Sequence, residues 1–201
     1  MSIVYEKTNI IPPEICKKVI SIFENVNDKQ QGLTSNGLEL NLKKTVDMYM
    51  NPNDNSWKQI EKYITTKILN EITPFMDYMS SNVFKLSSFE HFISIFGGIF
   101  GETLTLTGIQ VGKYETGGYF KPHIDVDSRN ERIFSIILYL NTLERGQGGD
   151  TIFYDGRVIT PEEGKLVIFP TTWTHLHQGC EVIRGCKYII TGFLCKKCVI
   201  P

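Results

Sequence analysis

No apolar run in this chain of 201 residues approaches the roughly 18 residues that a membrane-crossing helix needs, so no membrane partner is expected. The opening residues, Met1-Ser-Ile-Val-Tyr-Glu-Lys7, hold no basic stretch leading into a long apolar one. A secretory leader is therefore not visible, and a cytoplasmic location is the expectation. A surplus of one charge is also missing: 21 basic side chains face 22 acidic ones, for a net charge of −1. That balance argues against broad attraction to nucleic acid, although a local basic groove stays compatible with it. Internal repeats and low-complexity tracts are absent, which excludes solenoids and propellers. Cysteine is scarce and odd in number, with five residues at Cys16, Cys180, Cys186, Cys195 and Cys198. Without a leader they read most simply as reduced thiols. Cys195-Lys-Lys-Cys198 is a C-x-x-C, but the late cysteines do not form two such hooks as a zinc knot requires. Whether Cys180, Cys186, Cys195 and Cys198 have a metal or redox role stays open beside the plainer reading of small residues on closing strands.

What is present divides the chain near residue 100. The first half reads as mainly helical. Pro12 and Pro13 stand where a helix starts, and Ile15, Val19, Ile22, Phe23 and Val26 follow at helical spacing. Residues 27–41 read as a loop. After Asn53-Asp54-Asn55-Ser56, a run of capping residues, an amphipathic pattern extends from Trp57 to about Met79, with Pro74 expected to bend or divide it. Phe84–Phe100 is ambiguous between a helix and a buried loop. From Thr103 the period changes to two, and strands are expected at Thr103–Tyr114, Ile133–Leu140, Thr151–Tyr154, Arg157–Thr160, Lys165–Phe169 and Lys187–Leu194. About eight short strands with Gly-rich turns between them point to a sandwich or jelly roll with helices laid against one sheet. One domain over 1–201 is expected, with 1–100 as helical support and 101–201 as the catalytic roll.

The chemistry concentrates in the second half. His123 and Asp125 stand at i and i+2 of an extended segment and so share one face of it. His177 comes later, and Lys187 follows it inside Arg-Gly-Cys-Lys-Tyr. Two imidazoles and one carboxylate on one side of a metal leave the opposite positions open, the arrangement of non-haem Fe(II) that must also bind O2 and a co-substrate. A cation one short strand away suits the far carboxylate of a dicarboxylate. The pattern points to an Fe(II)/2-oxoglutarate oxygenase.

Five blocks in order then resemble the prolyl 4-hydroxylase-like branch of the Fe(II)/2-oxoglutarate dioxygenases. They are Tyr114-Glu-Thr-Gly-Gly-Tyr-Phe-Lys-Pro-His-Ile-Asp125, Arg132–Asn141, Gly148-Gly-Asp-Thr-Ile-Phe153, Pro161–Phe169 and Leu176–Tyr188. Ile10–Ile20 is similar to the family's opening helix. The resemblance implies an α+β fold, a double-stranded β-helix (jelly roll) core with N-terminal helices packed on its major sheet. It implies His123, Asp125 and His177 as iron ligands and Lys187 as the partner of the distal carboxylate of 2-oxoglutarate. Tyr114 and Thr151 match positions lining the co-substrate pocket, and Arg132 matches one that in relatives reaches the peptide substrate. Fe(II), 2-oxoglutarate, O2 and ascorbate are the implied cofactors and co-substrates. The implied reaction hydroxylates a protein or peptide side chain, peptidyl proline first, with release of succinate and CO2.

Plainer readings stand beside these. His175 competes with His177, because the two face the same way on an extended segment; the ten-residue step from His177 to Lys187 matches the family block. His91 has no partner at ligand spacing. Tyr114 could be core packing, and Arg132 a charge at a strand start. Where many peptidyl-proline enzymes carry Trp and His beyond the anchoring cation, this chain has Phe193 and Cys195, and its loop Val126–Glu131 is short. A nucleic-acid or small-molecule oxygenase and a catalytically inactive jelly-roll binding module are the competing functions. A halogenase is disfavoured because Asp125 fills the position a halide would take. Substrate identity and oligomeric state are not legible.

Overall fold

The computed structural model describes residues 3–51, 53–100, 104–126 and 131–196. In chain order its elements are β1 (Tyr5–Lys7), α1 (Pro13–Asn25), β2 (Gln30–Gln31), β3 (Lys43–Lys44), β4 (Val46–Tyr49), α2 (Asn55–Asn70) and α3 (Ile72–Tyr78). A π-helical turn at Met79–Val83 leads to α4 (Phe89–Phe100), after which come β5 (Leu104–Tyr114), β6 (Tyr119–His123), β7 (Arg132–Tyr139), β8 (Thr151–Phe153) and β9 (Val158–Ile159). The chain then runs through β10 (Leu166–Pro170), a 3₁₀ turn at Trp173–His175, β11 (His177–Gly179) and β12 (Lys187–Lys196).

The helices start where local chemistry permits. Pro13 opens α1, where its missing N–H has no helical partner to lose, and Cys16, Val19 and Phe23 bury one stripe. The Asp54 side chain accepts from the Ser56 N–H to cap α2, whose Trp57, Ile60, Ile64 and Ile68 face inward. The single pattern read over Trp57–Met79 is two helices that break at Glu71. Pro74 cannot donate to the carbonyl four residues back, so the chain restarts just before it and places it in a first turn, where no such bond is needed.

The strands form two antiparallel sheets. A major sheet of seven strands has the order β1-β10-β7-β12-β5-β4-β2, and a minor sheet of five has the order β3-β6-β11-β8-β9. Two cores follow from the pleat of the major sheet. Ile136, Leu138, Ile168, Ile190 and Val111 join Cys16, Phe23, Trp57, Ile64 and Phe75 from the helices. The alternate residues Ile137, Tyr139, Val167, Phe169, Ile189 and Tyr114 pack with Phe153 and Ile159 of the minor sheet. The apolar run Ile133–Leu140 is thus a strand buried on both faces, as its composition implies. This is the expected α+β jelly roll with helices on its major sheet.

The first hundred residues are more than helical support. β1 closes one edge of the major sheet, β4 and β2 extend the other, and β3 joins the minor sheet. Each spans two to four residues, too short for period-two alternation to register in sequence. β6 and β11 also lie outside the strands expected from periodicity. Cys198 and most of the Val126–Glu131 loop lie outside the described residues.

Candidate active site

Sheet pairing brings distant histidines together. β11 runs antiparallel to β6, and in that register His177 stands directly opposite His123. Asp125 follows β6, tied at its N–H to the Thr171 carbonyl at 3.2 Å. One ligand atom from each of His123, Asp125 and His177 lies within 4.8 Å of the others, the only such His/Cys/Asp/Glu group among the described residues. His123 Nε2 is 3.5 Å from Asp125 Oδ1 and His177 Nε2 is 3.7 Å from Asp125 Oδ2.

The backbone orients both rings. His123 Nδ1 lies 2.8 Å from the Lys121 carbonyl, and His177 Nδ1 lies 3.0 Å from the His175 carbonyl. A carbonyl only accepts, so each Nδ1 donates and each Nε2 keeps its lone pair for a metal. Burial, and then the neighbouring His177, push the His123 ring down to about 4, which keeps it neutral as a ligand must be. Phe120 stacks on His123 at 3.5 Å between centroids, while Phe153 and Phe169 pack on His177. The Ser135 hydroxyl donates to Asp125 Oδ2 at 2.6 Å. Two neutral imidazoles and a hydrogen-bonded carboxylate form a donor set that fits Fe(II), with the remaining positions on the open side.

Lys187 lines the same pocket, whose volume is about 80 Å³. Only 1% of the residue is exposed. Its Nζ donates to the Gly149 carbonyl at 2.8 Å and sits 4.1 Å from the centre of the Tyr114 ring. Burial lowers its pKa to about 8, while Cys180 and Asp150 nearby act in the opposite direction. Gly149 has φ +79, and a Cβ there would stand 2.6 Å from Leu143 Cδ1, so only glycine presents that carbonyl. β12 pairs with β5 so that Lys187 stands opposite Tyr114.

The other sequence candidates take these places. Tyr114 is buried against Lys187, with its phenol held well above the usual range by burial and by the nearby Asp47, Tyr139 and Asp125. Thr151 lines the pocket, and its hydroxyl is 2.7 Å from that of Tyr139. Arg132 lies over the Phe193 ring at 3.7 Å and donates to the Asp125 backbone carbonyl at 3.2 Å, so it is more than a surface charge. His175 is outside the cluster, with its Nδ1 2.9 Å from the Thr174 hydroxyl. His91 lies on α4, where its Nδ1 is 3.5 Å from the Ser87 hydroxyl.

Sequence reasoning missed Ser135, Lys43 and Asp47. Ser135 had a signal: it is the one small polar residue inside the apolar strand Ile133–Leu140. Lys43 and Asp47 had none, because strands of two and four residues bring them in. Their side chains pair at 2.6 Å, both buried. A wider groove of about 420 Å³ adjoins the pocket and shares Lys43, Asp47, Phe120, His123, Asp125 and Phe193 with it.

Comparison with known proteins agrees with this geometry. The 2OG-Fe(II) oxygenase superfamily pattern matches residues 109–195. Prolyl 4-hydroxylase subunit alpha-2 of Gallus gallus is 29% identical over 102 residues, which cover 40% of this chain and 18% of that protein. Procollagen-lysine,2-oxoglutarate 5-dioxygenase 2 of Homo sapiens is 31% identical over 107 residues, 51% of this chain and 14% of that one. The chain therefore spans less than a fifth of the length of either relative. Among solved structures, a prolyl hydroxylase of Trichoplax adhaerens, in complex with a hypoxia inducible factor oxygen degradation domain peptide fragment, superposes with a TM-score of 0.73 at 17% identity. The match covers 98% of this chain and 84% of that one, and at such identity it speaks for the fold. Residues 109–195 thus carry the pattern of the 2OG-Fe(II) oxygenase superfamily, and the chain is similar in sequence to prolyl and lysyl hydroxylases and in fold to a prolyl hydroxylase.

Proposed function

We propose that this protein is an Fe(II)- and 2-oxoglutarate-dependent dioxygenase that hydroxylates a protein or peptide side chain, with peptidyl proline as first target. The observation that carries this reading is one pocket lined by His123, Asp125 and His177 and also by the buried Lys187. Bound iron with 2-oxoglutarate and O2 supplies the oxidative decarboxylation to succinate and CO2 and the hydroxylation of a C–H bond. The protein's part is to bind, orient and exclude water. His123 and His177 present Nε2, Ser135 steadies Asp125, and Lys187 receives the distal carboxylate of 2-oxoglutarate beside Tyr114 and the Tyr139–Thr151 pair. Arg132, which lines the groove and lies over the Phe193 ring, would meet a peptide in this reading.

Residues 1–201 act as one catalytic domain in this reading, since the helices share a core with the major sheet. The test is Fe(II)-dependent succinate release, followed by mass analysis of proline-, lysine- and methylated nucleic-acid-containing substrates for a gain of one oxygen. Omitting ascorbate from the assay asks whether turnover needs that reductant. Succinate release without metal dependence would sink the reading.

A further inference from the structure

β12 begins at Lys187, so the buried ammonium of the pocket hangs from the first residue of a strand. Toward β5 the backbone there is paired, with Lys187 opposite Tyr114. Toward β7 the ladder stops short of it. The last pair on that side is Ile189 with Tyr139, and the Leu140 N–H then donates to the Tyr188 carbonyl at 2.9 Å. Past that point the chain turns to other partners, for the Leu143 N–H donates to the Pro161 carbonyl at 3.2 Å.

The side chain of Asn141 takes over where the ladder ends. Its Nδ2 donates to the Cys186 carbonyl at 2.9 Å, and its Oδ1 accepts from the Tyr188 N–H at 2.8 Å. A carboxamide offers a donor and an acceptor as a peptide group does, so Asn141 continues in side-chain form the pairing that β7 no longer supplies. The two bonds fall on the two peptide planes that flank one α-carbon. The Cys186 carbonyl belongs to the plane before Lys187, and the Tyr188 N–H to the plane after it. Because each peptide group is rigid and planar, holding both planes fixes φ and ψ of Lys187 and so the direction in which its Cβ leaves the backbone. The tip of the lysine is held separately: Nζ donates to the Gly149 carbonyl at 2.8 Å, and a Cβ on Gly179 would stand 3.5 Å from it.

We infer, on the reading that Lys187 receives the distal carboxylate of 2-oxoglutarate, that Asn141 is a positioning residue for co-substrate binding, which aims Lys187 by clamping the backbone on both sides of it. Asn141 is not among the residues that line the pocket, so its influence on the co-substrate passes through the lysine.

A double-mutant cycle on 2-oxoglutarate affinity tests this, read by calorimetry on protein loaded anaerobically with Fe(II), so that binding is measured without turnover. Asn141→Ala should raise the Kd roughly three- to tenfold in the wild-type background. In the Lys187→Ala background it should add nothing, because no ammonium is left to aim. A merely structural role would raise the Kd by the same factor in both backgrounds, or in neither. Fe(II) affinity, measured by equilibrium dialysis, should be equal in all four proteins. If Asn141→Ala does not fold, Asn141→Ser supplies the same comparison, since its short hydroxyl cannot bond both planes at once. An equal rise in both backgrounds, no rise in the first, or a fall in Fe(II) affinity overturns the role of Asn141 and leaves Lys187 as the anchor. Failure of the parent reading looks different: Lys187→Ala alone would leave the Kd unchanged, which removes the anchor and the positioning role together.

Discussion

Replacing Lys187 by Ala removes the only cation of the metal pocket, among the described residues, that has no carboxylate bound to it. Lys43, the other lysine lining the pocket, is paired with Asp47. Lys187 Nζ donates to one backbone carbonyl at 2.8 Å and lies 4.1 Å from the Tyr114 ring centre, with 1% of the residue exposed. A carboxylate arriving there forms a charge-assisted hydrogen bond worth about 1.5–3 kcal/mol. At about 1.4 kcal/mol per decade, the Kd for 2-oxoglutarate should rise roughly ten- to hundredfold in the variant, with metal affinity unchanged. The pH dependence is a second readout. Burial lowers the lysine to about 8, while the co-substrate binds its protonated form. The Kd should therefore be flat below pH 8 and rise toward tenfold per pH unit above it. Lys187→Arg keeps its charge and should lose that limb, with weaker binding near neutrality because the planar fork is bulkier than an ammonium. The same shift makes the fold, measured without co-substrate, gain stability from about pH 8 to the ordinary 10.5, where the unfolded chain holds the proton more tightly. Calorimetric titration of 2-oxoglutarate into metal-loaded protein decides the matter. An unchanged Kd in Lys187→Ala would refute the assignment of this lysine to the co-substrate.

Three further outcomes are expected. Asp125→Ala and His177→Ala should lose Fe(II) binding in equilibrium dialysis, whereas His175→Ala should retain it; the reverse pattern would overturn the ligand assignment. Ser135→Ala removes the 2.6 Å bond to Asp125 Oδ2 and should weaken metal affinity by roughly ten- to hundredfold, read by competition with a chelator. Lys43→Ala leaves Asp47 buried without its partner and should lower the unfolding free energy by about 3–5 kcal/mol in urea titrations, while a change under 1 kcal/mol would mean that water reaches the carboxylate.

Local patterns carried much of this protein. Pro13, the Asp54 cap and the spacing of Trp57, Ile60, Ile64 and Ile68 specify helices, because capping and amphipathicity act within a few turns. Ile133–Leu140 reads as a doubly buried strand for the same reason: its environment is written in its own side chains. The i, i+2 step of His123 and Asp125 and the block that holds His177 and Lys187 pointed to the same residues that line one pocket. The tertiary structure decided what depends on strands too short to show a period. β1, β2, β3 and β4 join sheets through backbone hydrogen bonds, which nearly any residue can make, so their side chains carry little record of the pairing. It also separated His175 from His177, since His177 stands opposite His123 across the minor sheet and lies in the cluster with Asp125. The Lys43–Asp47 pair had no sequence signature for the same reason. Its place beside the metal pocket comes from the crossing between two sheets, a long-range geometry that no local pattern encodes.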